Sequence, residues 1–245
     1  MKKKYVVLPL ILLISVVLLL SACGKKDTSV TDQTAGNTTE QTTPVEPTPE
    51  PTPTPTTTPE PETPTETPTP MSWDNPPAME IESAKSYEAE VTTSKGTFTI
   101  ELYAKDAPKT VNNFVFLSKQ GFYNNVIFHR IIESFMVQTG DPEGTGKGGP
   151  GYSFEDEKTT YQYEPGIVAM ANAGANTNGS QFFICTGEDS ASLNMQPNYT
   201  IFGKVTDGMD VVKDIAATPV EADIRGEMSS PTETIQIKEI KITEK

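Results

Sequence analysis

From Glu88 onward, apolar and polar positions alternate as they do in strands with one buried face. Phe98-Thr99-Ile100-Glu101-Leu102 follows a period of two, and Ser94-Lys95-Gly96 supplies a turn between it and Glu88–Thr93, which predicts a β-hairpin. The period then changes. Val111, Phe114, Val115 and Leu117 form a stripe at helical spacing, with Asp106 as the expected N-cap, Pro108 in the first turn, and Gly121 after Lys119 as the stop. A second short helix is predicted over about 209–217, with Val211, Val212 and Ile215 turned inward. The remaining apolar segments are short: Val126–Ile132, Phe135–Thr139, Ile167–Ala171, Gln181–Thr186, Tyr199–Val205 and Glu233–Ile242 read as strands. In the last of these the apolar parity shifts between Ile237 and Ile240, which predicts a bulge. Many short strands with only two helices point to a closed or nearly closed β-barrel.

Upstream the pattern is of another kind. Lys2, Lys3 and Lys4 precede an apolar run from Val6 to Leu20 that ends in Leu20-Ser21-Ala22-Cys23, the layout of a cleaved export signal. The run is short for a bilayer span and polar sequence follows it, which favours cleavage over a retained membrane helix. The tetrapeptide resembles the lipobox of bacterial lipoproteins, in which the cysteine thiol is acylated and the chain is cut just before it. Cys23 is then expected to be a lipidated mature N-terminus; an ordinary signal peptide or an uncleaved anchor is the alternative. From about Lys25 to Pro70 the chain is chiefly Thr, Pro and Glu, too poor in apolar side chains to offset chain entropy, and is expected to be a disordered spacer. At ~3.1 Å per residue such a proline-rich stalk reaches on the order of 100 Å. The expected organisation is a lipoprotein signal peptide at 1–22, an acylated cysteine and stalk at 23–70, a lead-in at 71–87, and one folded domain at 88–245.

Charge removes several function classes. The formal net charge is −14, and residues 71–245 carry 25 acidic against 14 basic side chains. Phosphate-backbone binding needs the opposite balance, so nucleic acid is not an expected partner. Cys185, the only cysteine besides Cys23, lies in the apolar run Phe182-Phe183-Ile184-Cys185 and reads as a small buried hydrophobe. One histidine and no nucleophile elbow leave neither a zinc site nor a Ser-His-Asp hydrolase supported. The run Gly140-Asp141-Pro142-Glu143-Gly144-Thr145-Gly146-Lys147-Gly148 looks superficially like a phosphate-binding loop. It has one residue too many between Gly140 and Gly146, and Gly148 stands where Ser or Thr is required.

Three stretches carry the chemistry. Phe128-His129-Arg130-Ile131-Ile132-Glu133-Ser134-Phe135-Met136-Val137-Gln138-Thr139-Gly140-Asp141 resembles the cyclophilin segment that holds the catalytic arginine. Met170 to Ile184, with Ala171-Asn172-Ala173-Gly174 and Gly179-Ser180-Gln181-Phe182-Phe183, resembles the family's most characteristic signature, and Tyr199-Thr200-Ile201-Phe202-Gly203-Lys204-Val205 resembles a third. With Ala107-Pro108-Lys109-Thr110-Val111 the resemblance covers about residues 88–243. It implies a mainly β fold, a closed eight-stranded antiparallel barrel capped by two α-helices, and peptidyl-prolyl cis–trans isomerase activity without a cofactor.

The resemblance assigns Arg130 as donor to the prolyl nitrogen. Phe135, Met136, Phe183, Leu193 and Tyr199 form the proline pocket; Gln138 and Asn172 hold substrate backbone; and Ala171, Ala173 and Gln181 shape the groove beside them. Strand alternation agrees in part, because Phe182 and Ile184 share one face while Gln181 and Phe183 share the other. Phe135 has the wrong parity to join Met136 and Gln138 without a bend. Core packing for the aromatics and a surface ion pair for Arg130 are the bland alternatives. His129 faces away from Arg130 and is taken as structural. The loop departs from the family: Ser192 stands where many members have a tryptophan, and Tyr199 where many have histidine. The expected partners are proline-containing exported polypeptides and, through Cys23, the membrane. The expected state is a monomer, lipid-anchored on the extracytoplasmic face, with a Gram-positive surface favoured. The competing function is a non-catalytic, chaperone-like peptide-binding module.

Overall fold

The computed structural model describes residues 71–245; the expected signal peptide, Cys23 and the expected stalk lie outside the described residues. The predicted hairpin is present as β1 (Tyr87–Thr93) and β2 (Thr97–Leu102), closed by the Thr93 amide on the Gly96 carbonyl at 2.8 Å. Gly96 is at φ 143°, a conformation side-chain-bearing residues avoid, so the turn sits where the glycine is. Helix α1 (Pro108–Lys119) buries Val111, Phe114, Val115 and Leu117 as the stripe requires. Helix α2 (Met209–Ala216) buries Val212 and Ile215, while Val211 is only half-buried, against Gly96.

Six further strands complete one antiparallel sheet: β3 (Arg130–Ile132), β4 (Met136–Thr139), β5 (Ile167–Met170), β6 (Phe182–Cys185), β7 (Ile201–Asp207) and β10 (Ile237–Glu244), in the order β10-β1-β2-β7-β5-β6-β4-β3. The predicted bulge is there, since Thr92 pairs Glu239 and Thr93 pairs Ile237, leaving Lys238 unmatched. A separate hairpin, β8 (Val220–Ala222) with β9 (Met228–Pro231), has no counterpart in the sequence reading. A 3₁₀ segment covers Glu188–Met195.

Two expectations are corrected. The eight strands do not close by a continuous ladder: β10 and β3 are the edges, and the segments just before them are joined by the Ile127–Gln236 bridge and the bonds of Phe128 N to Ile235 O, Ile237 N to Val126 O and Asn125 N to Ile237 O. The physical reason is local. Tyr123–Val126 forms a turn with Asn125 at φ 65°, so the strand predicted from Val126 begins only at Arg130 and is too short to pair along β10. Helix α1 is capped otherwise than expected. Its N-cap position is Ala107, and Glu157 accepts the Lys109 and Thr110 amides at 3.0 and 2.8 Å; Asp106 instead accepts from the Tyr161 hydroxyl.

The two faces of the sheet enclose different clusters. Inside, Phe98, Ile100, Phe114, Phe128, Val137, Phe182, Ile184 and Phe202 make the main core under both helices. Outside, Met136, Tyr163, Ile167, Ala169, Phe183, Cys185 and Ile201 form a second cluster, flanked by the half-buried Phe135, Ala171, Leu193 and Tyr199. The lead-in belongs to the fold: Ile81 is buried in the core, Asn112 accepts the Glu80 and Ile81 amides, and Trp73 packs on Phe116 and Phe122.

Candidate active site

The outer cluster follows from strand register. Arg130 lies opposite Gln138, Gln138 opposite Phe183 and Phe183 opposite Ala169, so one cross-strand row runs β3-β4-β6-β5 with every side chain on the outer face. The next row holds Ile132, Met136 and Cys185. Phe183 and Cys185 thus stand outside while Phe182 and Ile184 stand in the core, the division that alternation dictates. Phe135 reaches the same side because it belongs to the β3–β4 turn, where its amide bonds Ile132 O and its carbonyl accepts from Thr186 N and the Ser190 hydroxyl. The bend its parity required is that turn.

The far wall comes from two loops. Leu193 is carried on the 3₁₀ segment, and Tyr199 lies just before β7 with its ring edge-on to Phe183 at 5.5 Å and 89°. Such pairs contribute about 0.5–1.5 kcal/mol beyond burial. Tyr199 is held at both ends of its main chain by one hydroxyl: Tyr163 Oη donates to Tyr199 O at 2.5 Å and accepts from Tyr199 N at 3.1 Å. Burial pushes the Tyr163 hydroxyl up to about 12, so it stays a donor well into the alkaline range. Ser192 is exposed and its hydroxyl donates back to Asp189 O.

Beside the apolar pocket lies a polar groove of about 570 Å³, lined by Gln138, Gly146–Ser153, Ala171–Ala173, Thr177 and Gly179–Gln181. Gln138 Nε2 donates to Gln181 Oε1 at 2.9 Å, and Gln181 Nε2 donates to Gly148 O at 2.9 Å, which fixes both amides in a relay along the floor. The Asn172 side chain is turned into the structure, with Nδ2 on Asn198 O and Oδ1 accepting from Gly174 N. Its main-chain N–H and carbonyl have no partner among the described residues. Ala171 is half-buried at the boundary of groove and pocket, and Ala173 is exposed on the rim.

The glycine run of residues 140–148 is organised by a buried carboxylate. Asp141 accepts the amides of Glu143, Gly146 and Lys147 at 2.8, 2.6 and 3.0 Å. Burial raises its carboxyl, but the backbone donors of Glu143, Gly148 and Gly146 outweigh it and hold the group below its ordinary value, ionised and central to the loop. Cys185 is buried, and burial pushes its thiol up to about 11, far from a reactive thiolate. Among the described residues no group of three His, Cys, Asp or Glu is arranged to hold a metal ion.

The ten outer-face positions named from sequence, besides Arg130, are therefore gathered on one side of the sheet. Two residues were missed. Tyr163 carries no signal beyond being aromatic in a mixed segment. Glu227 comes from the unforeseen β8–β9 hairpin and makes both Nε and Nη2 contacts with Arg130, at 2.7 and 2.9 Å. That pair holds the Glu227 carboxyl below its ordinary range.

The chain matches the family described as cyclophilin type peptidyl-prolyl cis-trans isomerase/CLD over residues 89–242. It is 45% identical over 157 residues to a peptidyl-prolyl cis-trans isomerase-like 1 protein of Aspergillus fumigatus, covering 62% of this chain and 92% of that one. It is 44% identical over 155 residues to a peptidyl-prolyl cis-trans isomerase-like 3 protein of Gallus gallus, covering 61% and 92%. Its fold superposes on the crystal structure of a Cryptosporidium parvum cyclophilin type isomerase with a TM-score of 0.58 at 37% identity, over 64% of this chain and 98% of that one. The same protein has been solved in the presence of the dipeptide Ala-Pro. Sequence match and fold agree, and the chain belongs to the cyclophilin-type peptidyl-prolyl cis–trans isomerases.

Proposed function

We propose that the outer pocket takes the proline ring of an X–Pro segment, that Arg130 donates a hydrogen bond to the prolyl nitrogen in the twisted state, and that the clients are exported polypeptides. X–Pro rotation faces a barrier of ~18–20 kcal/mol because amide resonance must be broken. A donor placed where the nitrogen becomes pyramidal, beside an apolar pocket that orients the ring, lowers it by binding the transition state better than either planar state. The carrying observation is the outer-face placement of Arg130 in one cross-strand row with Gln138 and Phe183, with its guanidinium 3.6 Å from Met136 Sδ in the next row. In this reading the Gln138–Gln181 relay and the free Asn172 main chain receive the substrate backbone, and the Phe135, Leu193 and Tyr199 side chains complete the pocket. The Ala-Pro dipeptide used with the Cryptosporidium protein has the chemistry this pocket needs.

Magnetisation-exchange NMR on an X–Pro peptide tests it. Arg130→Ala is expected to fold and to lose at least about tenfold in kcat/KM, about 1.4 kcal/mol of transition-state stabilisation. Unchanged turnover in a folded variant refutes the mechanism and favours a client-holding module.

The cellular setting is part of the proposal. Leu20-Ser21-Ala22-Cys23 supports acylation at Cys23, the Thr/Pro/Glu-rich stretch supports display at a distance from the bilayer, and together they support an extracytoplasmic, lipid-anchored isomerase, on a Gram-positive surface by preference. No helix among the described residues is long and apolar enough to cross a membrane.

A further inference from the structure

Arg130 presents its guanidinium nitrogens in two directions. Nε and Nη2 donate to the two carboxylate oxygens of Glu227, at 2.7 and 2.9 Å, as a bidentate fork. Nη1 points the other way and lies 3.6 Å from Met136 Sδ. Met136 is buried in the outer cluster with Phe183, Leu193 and Tyr199, so Nη1 is the nitrogen that faces the proline pocket. A guanidinium is a rigid plane, and holding two of its nitrogens fixes the heading of the third.

The backbone that carries this carboxylate is itself held. Glu227 stands at the end of a tight turn in which Asp223 Oδ1 accepts the Arg225 and Glu227 amides at 2.8 and 2.9 Å, while Asp223 N donates to Glu227 O and Gly226 N to Asp223 O. Gly226 at φ 84° permits the reversal. Beyond the turn, β9 lies along β3, the strand that carries Arg130. Arg225 approaches the same carboxylate only at 3.7 Å and is largely exposed, whereas the Arg130 side chain is 25% exposed. An ordinary surface pair spends side-chain entropy on holding two mobile groups together. Here one partner is already fixed by its turn and the other by its strand.

We infer that Glu227 is a positioning residue for the isomerase reaction: its carboxylate sets the plane of the Arg130 guanidinium so that Nη1 is aimed into the proline pocket before substrate arrives. The inference rests on the reading of Arg130 given above. Pre-alignment of this kind removes reorganisation from the reaction step, so it acts on turnover more than on ground-state binding.

Exchange NMR yields kcat and KM separately on Glu227→Ala, Glu227→Gln, Arg130→Ala and the Arg130→Ala/Glu227→Ala double variant, each with a thermal melt. Glu227→Ala is expected to lower kcat by about fivefold or more with KM within about twofold of the parent. Glu227→Gln falls between, because its amide oxygen still accepts one of the two arginine bonds. The double variant is expected to be no slower than Arg130→Ala alone, since the glutamate acts only through the arginine. Parental kcat in both Glu227 variants beside a slow Arg130→Ala overturns the inference and leaves the role of Arg130 standing. A double variant slower than Arg130→Ala also overturns it. Parental kcat in Arg130→Ala overturns the reading of the site and this inference with it. Where Glu227→Ala melts early, the nearly isosteric Glu227→Gln decides.

Discussion

His129 and Arg130 are adjacent in sequence and opposite in role. Arg130 faces the outer pocket, while both ring nitrogens of His129 are buried without a hydrogen-bond partner. Burial lowers the imidazole from its ordinary 6.5; Asp141 opposes the shift and Arg130 adds to it. The unfolded chain therefore takes up a proton near pH 6.5 that the folded protein refuses, and stability falls as pH drops below that value. No other histidine exists in the chain, and the depressed carboxyls of Asp141 and Glu227 titrate lower, so the slope just below pH 6.5 belongs to this residue. Melting temperatures are expected to decline from pH 7 to pH 5.5, and His129→Phe is expected to flatten the profile without lowering the pH 7 value. An equal decline in the variant would assign the slope elsewhere.

At the level of elements, the sequence was most readable where one face is buried and least where backbone alone decides. Alternation makes most strands of the sheet legible, and Phe183 beside Gln181 marks the outer face in the sequence itself. The β8–β9 hairpin escaped because Val220-Glu221-Ala222 and Met228-Ser229-Ser230-Pro231 bury little and are joined by a turn that Asp223 organises through hydrogen bonds; Glu227 escaped with it. Barrel closure was overestimated for a related reason, since composition does not announce a left-handed Asn125.

Helix α1 is a third case. Its start was legible from Pro108, but its cap comes from Glu157, 47 residues away from Thr110, whose amide and hydroxyl both donate to Oε2. Glu157→Ala is expected to cost about 1–2 kcal/mol in urea unfolding, the usual worth of a cap. Asp106→Ala should cost much less. The reverse ranking would restore Asp106 as the cap.

Across the whole molecule, the ends of the domain are drawn together. β1 pairs with β10 from Tyr87 opposite Glu244, Ser86 and Lys245 exchange backbone bonds, and Lys85 pairs with Glu244 while Lys245 pairs with Glu88. The described strands thus begin and end as neighbours in one sheet. Cys23→Ser is expected to abolish incorporation of labelled fatty acid and to shift the protein out of the membrane fraction, or to leave its precursor uncut. Equal membrane retention of an unlabelled variant would point to an uncleaved anchor.

Trp73 offers something further. It is the only tryptophan in the chain, it packs against Phe116 at 5.2 Å, and its amide donates to the carbonyl of Pro150, which with Gly151 forms part of the polar groove's wall. A single fluorophore whose backbone is tied to that wall is an optical gauge. Its emission reports how firmly the indole is packed on Phe116 and Phe122 in the unlabelled protein, and a ligand that shifts Pro150 is expected to be read through the Trp73 amide as a change in one indole alone.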